Sequence, residues 1–295
     1  MYDNVLIGVK GDADDHRAID LAHRLAFSGT RLTLVHVSVI SALASEREGL
    51  ELEINASGGL VHAFADELAL AGAGTRVIRE HATSVGAGLQ AAVARLNADL
   101  LVLGSTVHRG LDRLLEGDDV ASTLARARCA VAVAESMARP GWRPVTKIGV
   151  AYDGTPDATV AVEHAKRLAD SLGAGLTPLY VAEPHIYATG FGMIAYPVED
   201  PESVVAAARK DLGTVAGEEV KVIYGDPSSE LARFSGQVDV LVCGSRRQGA
   251  VSRLVLGSMA LSLSRHACCP LIIAPAPQHA TPTARPETTT TAHGG

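Results

Sequence analysis

Ala98-Asp99-Leu100-Leu101-Val102-Leu103-Gly104-Ser105 and Val238-Asp239-Val240-Leu241-Val242-Cys243-Gly244-Ser245 are two copies of one phrase. Gly104 and Gly244 stand 140 residues apart, and the same offset relates Gly117 to Gly257 and Cys129 to Cys269. Nearer the start, VLIGVKG from Val5 resembles KIGVAYDG from Lys147. Ala18, Ala22, Arg24 and Leu25 return 143 residues later as Ala161, Ala165, Arg167 and Leu168. A period of this length is a whole domain rather than a solenoid unit. Each half is therefore a control for the other: where one keeps a demanding residue and the other has lost it, the loss is visible.

In both copies the phrase is a short apolar run ending in glycine, which reads as a buried strand. The same reading applies to VLIGV from Val5, LTLVHV from Leu32 and AVAVA from Ala130 in the first half. In the second half it applies to KIGVAY from Lys147, LTPLYV from Leu176 and LIIAP from Leu271. Weaker runs, TRVIRE at Thr75 and VKVIYG at Val220, supply a third strand to each half. Helix-period segments separate the runs. In the second half Thr155 can cap a helix, Pro156 suits its first turn, Gly173 suits its end, and Ala161, Ala165, Leu168 and Ala169 share one face. Ala18, Ala22, Leu25 and Ala26 repeat that face, with Gly29 as the stop. Strand and helix in alternation predict an α/β fold with parallel sheets and right-handed crossovers.

A chain of 295 residues suits two domains of ordinary size. Lys and Arg number 26 against 33 Asp and Glu, giving a net charge of −7. With no long basic run, nucleic acid is not expected as the partner. No apolar run reaches the roughly 20 residues a bilayer requires, and MYDNVLIGVKGDADD is not a signal peptide, so no membrane role is expected. Cys129, Cys243, Cys268 and Cys269 lack C-x-x-C spacing; adjacent Cys268 and Cys269 read as small buried residues. These features together predict a cytoplasmic protein.

The predicted domains are 1–134 and 147–276, joined by a turn-rich linker over 135–146 and followed by a disordered Pro/Thr-rich tail over 277–295. HIYATGFGMIAYPVEDPES, from His185, is either a mobile loop over the sheet edge or a packed connector.

Ligands of open parallel sheets sit beyond the carboxyl ends of the strands, where strand order reverses. Two segments of the second half converge there. Tyr152-Asp153-Gly154-Thr155 ends the first strand, and Asp153 can accept hydrogen bonds from a ribose or a base; alternatively it only begins an Asp-Gly turn. GSRRQGAVSRLVLGSMALSLSRH, from Gly244, leaves the fourth strand, passes Arg247 and Gly249, and reaches Gly257-Ser258-Met259 at a helix start. Glycines let backbone amides approach a phosphate, and a helix N-terminus adds oriented N–H groups. The alternative is a plain capping turn. Neither G-x-x-x-x-G-K-[ST] nor G-x-G-x-x-G after the first strand is present.

With these motifs in place, each half resembles a universal stress protein domain, and the chain resembles a tandem member of that family. The family's signature is Gly, two residues, Gly, nine residues, then Gly-Ser or Gly-Thr. Gly244, Gly257 and Ser258 match; Arg247 stands at the second Gly, with Gly249 two residues on. Asp153-Gly154-Thr155, Gly225-Asp226-Pro227 and His266 to Pro270 also match. The resemblance covers nearly all of residues 1–276. It implies two tandem Rossmann-like (adenine nucleotide alpha hydrolase-like) domains, each a five-stranded parallel-type sheet of order 3-2-1-4-5 between helices. It also implies ATP, with or without Mg2+, as the ligand in members that bind nucleotide, while other members bind none. Asp153, Gly154, Thr155 and Val181 would hold the nucleoside, and Gly244, Arg247, Gly249, Gly257, Ser258 and Met259 the phosphates. The last strands would pair dimer-fashion within the chain, with a homodimer as the alternative.

The first half departs at the demanding positions. Lys10 stands where Asp153 stands, Val107 replaces the second Gly, Asp118 replaces Ser258, and Thr83-Ser84-Val85 replaces Gly-x-Pro. One nucleotide, in the second half, is the expectation. No Ser/His/Asp or Cys/His arrangement and no metal-ligand set is legible; His108, His164 and His266 read as packed or solvated. Asp226 and Glu230, near the expected site edge, read as a turn residue and a first-turn carboxylate; the alternative is that they help hold a metal-bound phosphate. The functional reading is a cytoplasmic stress-response protein with ATP as regulatory ligand and a protein partner yet to be identified. The alternatives are a nucleotide-independent interaction scaffold and a slow ATP hydrolase.

Overall fold

The computed structural model describes residues 2–11, 15–39, 75–104, 129–135, 143–183, 187–189, 192–194, 200–245 and 258–275. The first half contains β1 (Asn4–Val9), α1 (Asp15–Leu25), β2 (Arg31–Val39), β3 (Thr75–Ala82), α2 (Val85–Leu96), β4 (Leu100–Leu103) and β5 (Ala130–Val133). The second contains β6 (Lys147–Ala151), α3 (Pro156–Leu172), β7 (Gly175–Ala182) and a hairpin of β8 (Tyr187–Thr189) and β9 (Gly192–Ile194). It continues with α4 (Pro201–Leu212), a hairpin of β10 (Thr214–Val215) and β11 (Glu218–Glu219), and β12 (Lys221–Tyr224). Last come α5 (Pro227–Ser235), β13 (Val240–Gly244), α6 (Ser258–His266) and β14 (Leu271–Ala274).

All ten apolar runs are strands of one sheet, in the order β12-β7-β6-β13-β14-β5-β4-β1-β2-β3. Within each half the order is 3-2-1-4-5 and every pairing is parallel. The halves join through β14 and β5, which pair antiparallel with Leu271 opposite Val133 and Ile273 opposite Val131. The edge strand of one half thus covers that of the other, leaving neither as an open template for aggregation.

Side chains alternate across this sheet, so each strand feeds two cores. Val5, Ile7, Leu100, Val102, Ala130 and Ala132 face the same way as Ile148, Val150, Val240, Val242 and Ile272. Together with α1 and α3 they form one apolar core that runs through the junction. The opposite face carries two cores: one under α2 in the first half, the other under α5 and α6 in the second. The small side chains of α1 and α3, among them Ala18, Ala22, Ala161 and Ala165 at 0% exposure, let both helices lie close to the strands.

The predicted caps of α3 are observed. Thr155 Oγ1 accepts from Ala158 N at 3.2 Å, Pro156 opens the helix, and Gly173 closes it at φ +64°, where a side chain would be strained. Its counterpart α1 stops at Leu25, one residue short of the expected Ala26. The reason is a turn in which Phe27 N donates to Thr30 Oγ1 at 3.1 Å. Cys129 and Cys243 are buried, and Cys269 is buried as expected. Cys268 is exposed, contrary to the reading of the pair, because only Cys269 turns into the core below β14.

The opening phrase owes its first polar residue to the fold. Asp99 accepts from Asp3 N at 2.7 Å and from Asn4 N, while its own N–H donates to Asn4 O at 3.0 Å. Asp239 repeats the clamp: Thr146 N, Thr146 Oγ1 and Lys147 N donate to it at 2.9, 2.9 and 3.0 Å, and its N–H donates to Lys147 O. Each acid ties the start of strand four to the start of strand one, the pair that flanks the reversal of strand order.

Glycine in strand one is explained the same way in both halves. A Cβ on Gly149 would lie 2.5 Å from Phe234 Cε1, and one on Gly8 would lie 3.0 Å from Leu103 Cδ2 and 3.3 Å from Leu89 Cδ2. The missing side chains are what let α5 and α2 sit down on their strands.

Candidate functional site

Strand order reverses between β6 and β13, and a cleft opens at their carboxyl ends. Ala151, Leu179, Val181, Leu231, Cys243 and Ala260 form its apolar wall; Asp153, Thr155, Asp157 and Glu183 bring polar groups to it. Gly244 and Met259 line it as well, so residues from five chain segments meet there.

The turn after β6 is built by its own side chains. Asp153 Oδ1 accepts from Thr155 N at 3.0 Å and from the Thr155 hydroxyl at 2.6 Å, and Gly154 takes φ +79° with open space where a Cβ would be. The Thr155 oxygen in turn receives Ala158 N, so Asp153 and the N-terminus of α3 are linked through one hydroxyl. Asp153 thus begins an Asp-Gly turn, as one of the two readings has it, and it also lines the cleft.

Gly244 has a packing role that the sequence did not disclose. A Cβ there would approach Asp157 O at 3.0 Å and Asp157 C at 3.3 Å, both backbone atoms of the first turn of α3. The glycine lets the end of β13 touch that helix, which closes the floor of the cleft. Pro227, third residue of Gly225-Asp226-Pro227, lines the cleft from the start of α5. Asp226 caps that helix by accepting from Ser229 N at 2.9 Å, and this bond holds its carboxyl below the usual range. Glu230 pairs with Arg233 at 2.8 Å. The turn and first-turn readings of these two acids stand.

Of the ten predicted site residues, Asp153, Thr155, Val181, Gly244 and Met259 line one cleft, with Gly154 in its rim turn. Ser258 opens α6 beside it. Arg247, Gly249 and Gly257 lie outside the described residues, as do Val107, Gly117 and Asp118 of the first half. Sequence reasoning missed Asp157 and Glu183. Asp157 was hidden as an ordinary acidic residue in a helix first turn, and Glu183 as the first polar residue after strand two. The charged residues among the described lining, Asp153, Asp157 and Glu183, are all acidic. Among the described residues no group of three His, Cys, Asp or Glu is placed to hold a metal ion.

The corresponding end of β1 is arranged differently. Asp15, only 5% exposed, turns its carboxylate back onto Lys10 N at 3.0 Å and Gly11 N at 2.7 Å. A protein carboxylate therefore takes the amides at the position matching Asp153 and Gly154.

Two tandem five-stranded units of order 3-2-1-4-5, joined in one sheet, with a cleft at the reversal point of the second among the described residues, define a Rossmann-like fold. The universal stress protein family profile matches residues 1–135 and 144–275, and the chain belongs to that family. Universal stress protein Rv1996 of Mycobacterium tuberculosis is 32% identical over 150 residues, covering 43% of this chain and 47% of that protein. The chain thus spans about half the length of this relative. Universal stress protein MJ0531 of Methanocaldococcus jannaschii is 23% identical over 161 residues, covering 50% of this chain and 91% of that protein. The crystal structure of a universal stress protein from Archaeoglobus fulgidus shares the fold with a TM-score of 0.67 at 17% identity, covering 92% of this chain and 96% of that one. No described helix is long and apolar enough to cross a membrane.

Proposed function

We propose that the chain binds one adenine nucleotide, ATP, in the cleft of its second half, and that ATP serves there as a regulatory ligand in a cytoplasmic stress response. The observation that carries this reading is the convergence of Asp153, Thr155, Val181, Gly244 and Met259 on one cleft at the reversal point. Its depth is apolar and suits a base. Its rim offers Asp153 and Thr155 to a ribose or base edge. In this reading the phosphates lie toward the start of α6, which Ser258 opens, and the sequence between Gly244 and Ser258 would supply glycines and the cations Arg246, Arg247 and Arg253 to meet their charge. Mg2+, where it accompanies the nucleotide, would be bound by the phosphates.

A regulatory ligand acts by binding two conformations with different affinity, and the response passes to a partner protein. The first half contributes scaffold: Asp15 occupies the backbone donors that a ligand would need at the end of β1.

One observation favours a second reading, a nucleotide-independent scaffold. The described cleft carries three carboxylates, and Arg247 replaces a glycine of the family signature. Mass spectrometry of the purified chain, denatured to release small molecules, separates the two. ATP recovered near one equivalent supports the first reading. Its absence, with no binding on later addition of ATP, supports the second.

A further inference from the structure

The junction between the halves is symmetric in shape and asymmetric in chemistry. The 143-residue offset matches Tyr2 to Val145 and Leu21 to His164. Val145 and Leu21 are buried at 4% and 1% exposure in the shared core, an apolar pair. Their counterparts Tyr2 and His164 are buried at 1% and 5% and are polar. The Tyr2 hydroxyl lies 2.6 Å from His164 Nε2, across 162 residues of chain and across the junction. The rings are tilted by 46° with centroids 5.7 Å apart.

The described residues lining the groove beside this contact bring four other ionisable groups to it. Arg167 and Asp170 come from α3 itself, Asp99 from the start of β4, and Cys129 from the start of β5. The Asp99 carboxylate is engaged by the backbone of Asp3 and Asn4. Burial pushes the Cys129 thiol up to about 12, so it stays neutral. Arg167 is a cation close to the imidazole.

We propose that the Tyr2–His164 contact is an acid-sensitive latch: the junction accepts only a neutral imidazole, and protonation of His164 favours parting of the halves along β5 and β14. A neutral imidazole can exchange a hydrogen bond with the phenol in either tautomer. An imidazolium can still donate to the phenol oxygen, so the hydrogen bond is not what is lost. What is lost is water around a charge, with Arg167 adding repulsion. Burial first and Arg167 second lower the His164 pKa to about 4 in the closed junction. An exposed histidine titrates near 6.5. The closed form is therefore fully favoured above about pH 6.5 and loses ground as pH falls toward 4. The shift works out at roughly 20-fold between pH 7 and pH 5, and about 300-fold at most. The apolar Val145–Leu21 side has no such dependence, and α3 links the latch to the cleft, since it begins at the Thr155 cap.

The test is hydrogen exchange on the full chain at pH 7 and pH 5, corrected for intrinsic rates. Protection of the β5 and β14 amides should fall roughly 20-fold at pH 5, while amides in the centres of β1 and β6 hold. His164→Gln, which does not titrate, should abolish the change. A wild-type junction whose protection ignores pH, or a glutamine variant that keeps the full change, overturns the proposal. If His164→Gln does not fold, Tyr2→Val with His164→Leu installs the pair found on the other side, and the same two outcomes decide.

Discussion

Replacing Asp239 with alanine removes the acceptor for Thr146 N, Thr146 Oγ1 and Lys147 N, at 2.9, 2.9 and 3.0 Å. A hydrogen bond to a charged group contributes roughly 1.5–3 kcal/mol when shielded. These donors lie at the surface, where water replaces a lost acceptor, so the three bonds together should contribute about 2 kcal/mol rather than their sum. The pH dependence follows from opposing effects on the carboxyl. Burial raises its pKa; the hydrogen bonds from Thr146 and Lys147 and the charge of Arg24 lower it, and the lowering wins. A carboxyl held below its unfolded value of about 3.9 gives its stabilisation in full above that pH and loses it as pH falls through the folded value. Urea denaturation followed by far-UV circular dichroism should therefore show Asp239→Ala less stable than wild type by about 2 kcal/mol at pH 7, with the gap narrowing as pH falls below about 3.9. Asp99→Ala should lose a comparable amount of stability at pH 7 in the first half, since it removes the acceptor for Asp3 N and Asn4 N. A loss under about 0.5 kcal/mol at pH 7, or a gap unchanged at pH 2, would refute the clamp.

Two further outcomes follow from the geometry. Gly149→Ala should cost about 1–3 kcal/mol, because its Cβ meets the Phe234 ring at 2.5 Å, and Phe234→Leu should restore part of the loss; full stability of the single variant in the same titration would contradict the packing. Asp153→Ala should weaken ATP and adenosine by similar factors, roughly 10- to 100-fold, while Asp153→Asn keeps one oxygen for the Thr155 turn; a calorimetric loss confined to the triphosphate would place the residue at the wrong end of the ligand.

The inner strands were legible because they are buried on both faces and so read as uninterrupted apolar runs, even the four-residue ones at Leu100 and Ala130, whereas the edge strands β3 and β12 carry exposed residues and read more weakly. The α3 boundaries were legible because Thr155, Pro156 and Gly173 are local signals whose geometry needs no distant partner. The Asp153-Gly154-Thr155 turn belongs to the same class. What escaped were features that depend on residues far apart in sequence. Asp239 looks solvated until Thr146 and Lys147, more than 90 residues earlier, are placed beside it. His164 looks like any helical histidine until Tyr2 crosses the junction to meet it. The packing role of Gly244 escapes the sequence because no pattern reveals that the Asp157 backbone lies 3.0 Å from its missing Cβ. The hairpin of β10 and β11 was also missed. Its turn places Ala216 at φ +55° and Gly217 at φ +85°, and alanine at the first of those positions is a poor signal compared with asparagine.

The central claim is one nucleotide per chain, held by the second half. Isothermal titration of ATP into the full chain measures it directly, with Gly257→Val and Gly117→Val as paired variants at matched positions of the repeat. A Cβ and its branches at a phosphate-cradling glycine would intrude on the ligand. The account predicts a stoichiometry of one, lost in Gly257→Val that remains folded by circular dichroism and kept in Gly117→Val. Two equivalent sites, no binding at all, or a stoichiometry of one that disappears only with Gly117→Val would contradict it.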